Sequence, residues 1–160
     1  MIARLMFAYV DFAARRGLVE PPAADAPALS PKLRARRTGI RGETYAYWYL
    51  RRHGYTIVAQ NFMSPGVKGE IDLIGYDRGT LAFVEVKTRV ARTRPDEPRP
   101  EDAVNLEKRR NLARMARHFL RAWHIPPQTP HRFDILAIET RAAARPTLRL
   151  HKGAFSPERF

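Results

Sequence analysis

The chain has 160 residues, a formal net charge of +13 and no cysteine. This length provides one ordinary domain with its own core, and the absence of cysteine excludes disulfides, thiol catalysis and cysteine-ligated zinc. The charge, with a pI of 11.0, favours a polyanionic partner, with nucleic acid as the first candidate and an anionic membrane surface as the main rival.

No apolar run reaches the length of about 18 residues that a membrane-spanning helix needs. The opening segment is unlike a secretory signal, because Asp11 interrupts its apolar residues. We therefore expect no stable membrane insertion and a cytoplasmic location.

The first 37 residues are interpreted as an N-terminal extension. Its first part predicts a short helix over residues 2–16, because apolar residues recur there at helical spacing: Ile2, Leu5, Met6, Tyr9 and Ala13. The Pro- and Ala-rich stretch from Leu18 to Pro31 predicts a flexible linker. The basic run from Lys32 to Arg37 is either a solvated tail or a set of phosphate contacts. The folded domain is predicted to span residues 38–152, followed by a tail over residues 153–160.

The domain is predicted to begin with a helix and a strand. The helix runs from residue 38 or 39 to about residue 53 and stops at Gly54, and the strand covers residues 55–61. Glu43 lies in the first turns of the helix. Its carboxylate either interacts favourably with the helix dipole or faces the acidic cluster described next.

A charged β-hairpin with a tight turn at residues 77–79 is predicted after this strand. Side chains alternate across a strand, so Glu70 shares a face with Asp72, and Glu85 shares a face with Lys87. The short turn makes the two strands antiparallel neighbours. The hairpin therefore gathers three carboxylates and one ammonium group.

A divalent cation would offset the repulsion among these carboxylates. Asp72, Glu85 and the carbonyl of Val86 are oxygen ligands that suit Mg²⁺ or Mn²⁺, with water and phosphate oxygens in the remaining positions. Lys87 would then orient an attacking water molecule and offset charge that develops on a phosphate. This pattern predicts a metal-dependent site for phosphate chemistry.

The alternative is structural: Glu85 and Lys87 form a solvated charge pair on the open face of a sheet. Leu81 and Phe83 lie on the same face as this pair. The strand therefore begins in a core and ends in charge, which is typical of the edge of a cleft.

The rest of the chain predicts a crossover between parallel strands. Residues 90–100 are rich in Arg and Pro and form either a mobile loop that closes over a ligand or a disordered segment. A helix follows over about residues 102–123, and then strands over residues 131–139 and 148–151. The expected fold class is α/β, with a mixed central sheet flanked by helices.

Six blocks occur in order between residues 38 and 140. They are Gly39-x-x-Gly42-Glu43, Gly54-Tyr55 with Asn61, Gly69-Glu70-Ile71-Asp72-Leu73-Ile74, Phe83-Val84-Glu85-Val86-Lys87-Thr88-Arg89, Ala103-Val104 with Lys108, and Arg132-Phe133-Asp134. Together they resemble the YraN-like family of small, largely uncharacterised bacterial proteins.

The resemblance implies a restriction-endonuclease-like core, similar to that of archaeal Holliday junction resolvases, with a PD-(D/E)xK signature. Asp72 and Glu85 would bind the metal, Lys87 would act on the water, and Glu43 would match an acidic residue that related resolvases place on the first helix. Lys108 would approach the phosphate. The further candidates for nucleic-acid contacts are Lys68, Arg89 and Arg109, while Glu70 has no assigned role.

These features predict a Mg²⁺- or Mn²⁺-dependent endonuclease that hydrolyses DNA, including branched or distorted DNA. A nucleic-acid-binding module without efficient cleavage is the alternative, and a peripheral membrane protein anchored by residues 2–16 is a third hypothesis. Action on a symmetric junction would be simplest for a homodimer.

Overall fold

The computed structural model describes residues 2–17, 31–90, 104–141 and 144–156, without the side chains of residues 14–17 and 31–38. The described residues form three helices and five strands: α1 (Ile2–Gly17), α2 (Pro31–Arg52), β1 (Thr56–Phe62), β2 (Ile71–Asp77), β3 (Thr80–Val90), α3 (Leu106–Ala122), β4 (His131–Thr140) and β5 (Thr147–Phe155). The linker predicted over residues 18–31, apart from Pro31, and the loop predicted over residues 90–100, apart from Val90, lie outside the described residues.

The strands form one mixed sheet in the order β1-β2-β3-β4-β5. All neighbouring pairs are antiparallel except β3 and β4, which are parallel and are connected through α3. The predicted α/β class and mixed sheet are confirmed, and this core is consistent with a nuclease-like fold.

Both faces of the central strands are buried, because β3 alternates apolar side chains between two core clusters. Leu81 and Phe83 pack on the face covered by α3, whereas Ala82 and Val84 pack on the face covered by α1 and α2. The sheet is therefore sandwiched between helices on its two faces. A strand buried on both faces is expected where a helical crossover connects parallel neighbours.

The hairpin between β2 and β3 has the predicted tight turn. Arg78 and Gly79 have φ angles of 49° and 86°, and Asp77 pairs directly with Thr80. Two central residues with positive φ match the right-handed twist of the flanking strands, and glycine adopts that backbone without steric cost. The first strand of the hairpin begins at Ile71, so Glu70 precedes the strand rather than lying in it.

Helix α2 begins at Pro31, earlier than the predicted start at residue 38 or 39. Proline is favoured at the first position of a helix, and Thr38-Gly39 lies within α2 despite the weak helix propensity of both residues. Helix α1 is confirmed, and its Phe7 ring stacks on Tyr45 of α2 with the ring centroids 5.3 Å apart. The proposed domain limits of residues 38 and 152 stay a prediction.

Helix α3 begins at Leu106 rather than at residue 102. Asn105 is its N-cap, and the Asn105 side chain accepts a hydrogen bond of 2.9 Å from the backbone N–H of Lys108. Val104 precedes the helix and is buried. The side of α3 that packs against the sheet is apolar. No helix among the described residues is long and apolar enough to cross a lipid bilayer.

Candidate active site

The acidic residues of the hairpin lie where β2 and β3 separate. The backbone pairing of these strands ends at Leu73 and Val84, and Asp72 and Glu85 are the next residues on each strand. The backbone N–H of Val86 donates a 2.6 Å hydrogen bond to Oδ2 of Asp72. The Asp72 side chain therefore takes the place of the next backbone hydrogen bond between β2 and β3. Because the N–H and C=O of one strand residue point to the same side, the Val86 carbonyl also faces this gap.

Glu85 is the buried centre of the site, with 2% of its surface exposed. Lys87 Nζ lies 2.7 Å from Oε1 of Glu85, and Lys108 Nζ lies 3.1 Å from Oε2. This ion pair is not aligned as a hydrogen bond, and no donor among the described residues bonds to Oε2. Oε2 of Glu85 is therefore buried close to the Lys108 ammonium group but accepts no hydrogen bond from the described residues.

Asp72 is also buried, and its pKa is raised from 3.8 to about 7. Desolvation is the largest cause, followed by the negative charge of Glu85, while the Val86 hydrogen bond and the Lys108 charge oppose the rise. A neighbouring negative charge in a low-dielectric gap disfavours the ionised form of Asp72. The site therefore carries negative charge that its own lysines do not fully compensate.

Helix α2 brings a third carboxylate to this gap. Burial and the charges of Glu70 and Glu85 raise the pKa of Glu43, and a hydrogen bond with the Asn61 side chain partly opposes the rise. Glu43 therefore faces the acidic cluster, which was one of the two interpretations of the sequence. Glu70 also contributes its charge here, although it lies outside β2.

A close contact between α2 and β3 positions Glu43. A Cβ atom added to Gly42 would lie 1.9 Å from Oγ1 and 2.9 Å from Cβ of Thr88. No real Cβ atom approaches side-chain atoms so closely, so a residue without a side chain is needed at this crossing. The two family blocks that contain Gly42 and Thr88 thus meet directly at the site.

The oxygen-rich composition of the gap suits a hard divalent cation. Among the described residues, no three Asp, Glu or His side chains are arranged as a ready metal-binding cluster. Mg²⁺ needs fewer protein ligands than that, because it retains several waters and is commonly held by one or two carboxylates with substrate phosphates. Asp72, Glu85 and the Val86 carbonyl fit this requirement, and the unsatisfied Oε2 of Glu85 offers a ligand atom.

Comparisons with known proteins match the segment of the chain that contains the site. The sequence model of "Uncharacterised protein family UPF0102" matches residues 42–138. A UPF0102 protein of Koribacter versatilis is 47% identical over 119 residues, which cover 74% of this chain and 79% of that protein. This chain belongs to the UPF0102 family.

Two further UPF0102 relatives match this chain over most of their own length. A protein of Solibacter usitatus is 41% identical over 128 residues, covering 78% of this chain and 92% of the relative. A protein of Symbiobacterium thermophilum is 43% identical over 122 residues, covering 76% of this chain and 98% of the relative. The predicted membership of the YraN-like, or UPF0102, family is confirmed, and the matched segment contains every carboxylate of the site.

The predicted nucleic-acid contacts of this UPF0102 protein occupy different places. Lys108 lies at Glu85, as described above. Arg109 does not join it: Nε of Arg109 donates to the Val104 carbonyl at 2.9 Å, and its guanidinium lies 5.5 Å from the Phe155 ring centroid. Lys68 and Arg89 are exposed, in the loop before β2 and near the end of β3.

Sequence reasoning gave no role to Asn61, which interacts with Glu43 across the site. Its φ of 48° places it in the left-handed region, where Asn is among the more tolerated residues. The indication available in the sequence for Asn61 was its place in one of the family blocks. The hydrogen bond from the Val86 N–H to Asp72 gave no signal at all, because it depends on the exact position where the two strands part.

Proposed function

We propose that this protein is a Mg²⁺- or Mn²⁺-dependent nuclease that hydrolyses phosphodiester bonds in DNA. One observation carries the proposal: Glu85, Asp72 and Lys87 converge at a gap between two strands. Burial and the charge of Glu85 make a negative charge on Asp72 unfavourable there, yet the fold keeps the carboxyl group in this position. Branched DNA is the first substrate to test, because the signature resembles that of junction resolvases.

Asp72 and Glu85 would hold the metal together with the Val86 carbonyl. A bound cation would lower the pKa of a water molecule and stabilise the negative charge that builds on the phosphate. The raised pKa of Asp72 supports this assignment, because burial and the charge of Glu85 disfavour its ionised form, which a bound cation would stabilise.

The two lysines have separate roles in this mechanism. Lys87, on the same strand face as Glu85, would hydrogen-bond and orient the attacking water. Lys108, at the start of α3, would contact an oxygen of the scissile phosphate. Glu43 is suited to accept a proton, because its raised pKa brings it closer to neutral pH than an ordinary glutamate.

A nucleic-acid-binding module without cleavage is the second candidate. The specific observation in its favour is that Lys87 and Lys108 both contact Glu85, so the chain's own ammonium groups occupy the surroundings of the metal ligand. Under this hypothesis the lysines and carboxylates would form a buried charge network that shapes the binding surface.

A cleavage assay with designed variants separates the two. Purified protein is incubated with labelled linear, single-stranded and four-way-branched DNA, with Mg²⁺, Mn²⁺ or EDTA. The nuclease hypothesis requires metal-dependent cleavage that E85Q and D72N abolish while binding measured in EDTA persists. E107Q is the matched control, because Glu107 is exposed on the first turn of α3 and should cleave like wild type.

Wild-type protein that binds DNA but cleaves none of these substrates with either metal would support the binding module instead. Size-exclusion chromatography with and without branched DNA tests the predicted homodimer.

A further inference from the structure

Helix α3 carries a second positively charged feature that the proposed site does not use. Arg110, Arg114, Arg117 and Arg121, here called the arginine ridge, are all exposed. Their spacing of four, three and four residues places them along one side of the helix. At about 1.5 Å per residue, the ridge extends roughly 16 Å.

The ridge is held on a rigid support. The opposite side of α3 is buried against the sheet through Leu112, Ala113, Met115, Ala116, Phe119 and Leu120. Among the described residues, no carboxylate forms an ion pair with any of the four arginines. Like charges at these spacings repel one another. Arg121, in the last turn, interacts favourably with the helix dipole and donates a hydrogen bond to the Arg117 carbonyl. The other three arginines gain no such support from the described residues, and an anionic partner would relieve the repulsion among the four.

A cavity of about 460 Å³ lies beside the second half of the ridge. Arg114, Arg117 and Arg121 line it together with His118 and His124, and none of the described lining residues is acidic. The apolar residues Leu120, Ile125 and Pro127 complete the lining. Such a surface presents several N–H donors to an anion. Guanidinium groups bind phosphate and carboxylate oxygens with two parallel hydrogen bonds, so phosphate is among the anions that suit this surface.

The row of charges and the buried apolar face of α3 favour one class of partner. An interfacial membrane helix needs an apolar face directed at the lipid, but the apolar face of α3 is buried in the core. A straight row of arginines instead matches a regularly charged polymer, and duplex DNA carries one phosphate for about every 1.7 Å of its axis. The chain's net charge of +13 agrees with such a partner.

We propose that the arginine ridge binds the phosphate backbone of duplex nucleic acid outside the proposed catalytic site. Lys108 lies on roughly the opposite side of α3 from the ridge, so the two contact different parts of the bound molecule. The ridge therefore sets affinity and placement, whereas Lys108 and the carboxylates act at one phosphate. The inference rests on the proposed function only for its partner class and does not require cleavage.

The test is DNA binding in EDTA, measured by fluorescence anisotropy with a labelled 30-base-pair duplex between low and moderate salt. The ridge variant is R110Q/R114Q/R117Q/R121Q. The control R4Q/R52Q/R78Q/R141Q removes the same charge from exposed positions elsewhere. Circular dichroism and thermal unfolding establish that both variants fold.

We expect the ridge variant to lose at least tenfold in affinity and the slope of log K against log salt to fall by about 3 to 4, as for four lost phosphate contacts. The control should stay close to wild type in both quantities. Equal losses in the two variants would mean that only net charge matters, and this would overturn the inference. The inference would also be overturned if the ridge variant bound DNA as tightly as wild type. A loss of affinity seen only for vesicles of anionic lipid, and not for DNA, would overturn it as well.

Because the binding assay contains EDTA, which removes divalent metal ions, these outcomes are independent of nuclease activity. A wild-type protein that binds DNA through the ridge but never cleaves it would retain this inference and remove the proposed enzyme function. If wild type and the ridge variant both cleave DNA and bind it with equal affinity, the proposed enzyme function is retained and this inference is removed.

Discussion

Replacing Asp72 with asparagine should stabilise the metal-free protein at neutral and alkaline pH. The substitution removes the charge but retains an oxygen that can accept the Val86 N–H. In the wild type, burial and the charge of Glu85 raise the pKa of Asp72 from 3.8 to about 7. A carboxyl group with a raised pKa binds its proton more tightly in the folded state. Wild-type stability therefore falls as pH rises from about 4 to about 7, and the loss is complete above that range.

The size of the effect follows from the same pKa. The interval between 3.8 and about 7 corresponds to at most about 4 kcal/mol, since one pH unit is equivalent to roughly 1.4 kcal/mol. D72N should thus exceed wild type by about 1 to 4 kcal/mol at pH 8 and differ little from it near pH 4. For a chain of this size, each kcal/mol raises the melting temperature by about 2 to 4 °C.

Urea unfolding in EDTA at constant ionic strength, at several pH values between about 4 and 8, measures this difference. Asp77 provides a control of opposite sign, because hydrogen bonds and charges from Lys152 and Arg132 lower its pKa. Asp77 stabilises the fold above its unfolded pKa and loses that contribution as pH falls, so D77N should be less stable than wild type at pH 8. A D72N advantage that does not grow with pH, or a D72N protein less stable than wild type at pH 8, would refute the reasoning.

Three further predictions test other parts of the structure. G42A should cost about 1 to 3 kcal/mol in urea unfolding, because its Cβ would overlap Thr88; unchanged stability would show that α2 can move away from β3 freely. K87Q should lower the cleavage rate at saturating DNA about 10² to 10³-fold with little change in DNA affinity, and a loss confined to affinity would contradict the proposed role. F7A should cost about 3 to 5 kcal/mol, since Phe7 is buried between α1 and α2; a negligible change would mean that α1 contributes little to the fold.

Local sequence signals predicted the central hairpin most closely. The Asp77-Arg78-Gly79 turn fixes which residues of β2 and β3 face each other, and alternation then places Glu85 and Lys87 together. Both effects act within a few residues of the chain. The structure accordingly brings this pair to 2.7 Å.

Element boundaries and long-range contacts were harder to predict. The predicted start of α2 relied on Thr38 and Gly39 as a helix opening, but residues before them continue the helix. The contact of Gly42 with Thr88 joins elements that are distant in sequence, so no local pattern encodes it. The same holds for the burial that raises the pKa of Asp72, because burial depends on how both helical layers close over the sheet.

The opposite end of β2 shows what a structural acidic cluster looks like in this protein. Asp77 accepts hydrogen bonds of 2.6 Å from both Arg132 and Lys152. The neighbouring Asp134 is completely buried and accepts from Arg132, Tyr55 and the backbone of residue 153.

The two ends of one strand thus carry the same residue type under opposite electrostatic conditions, with the pKa of Asp77 lowered and that of Asp72 raised. Charged groups that support a fold are paired, as Asp77 is, whereas a fold that keeps an aspartate at a cost to its stability usually does so for function. This contrast within β2 supports the proposed cation, rather than the stability of the sheet, as the reason for the acidic gap at Asp72 and Glu85.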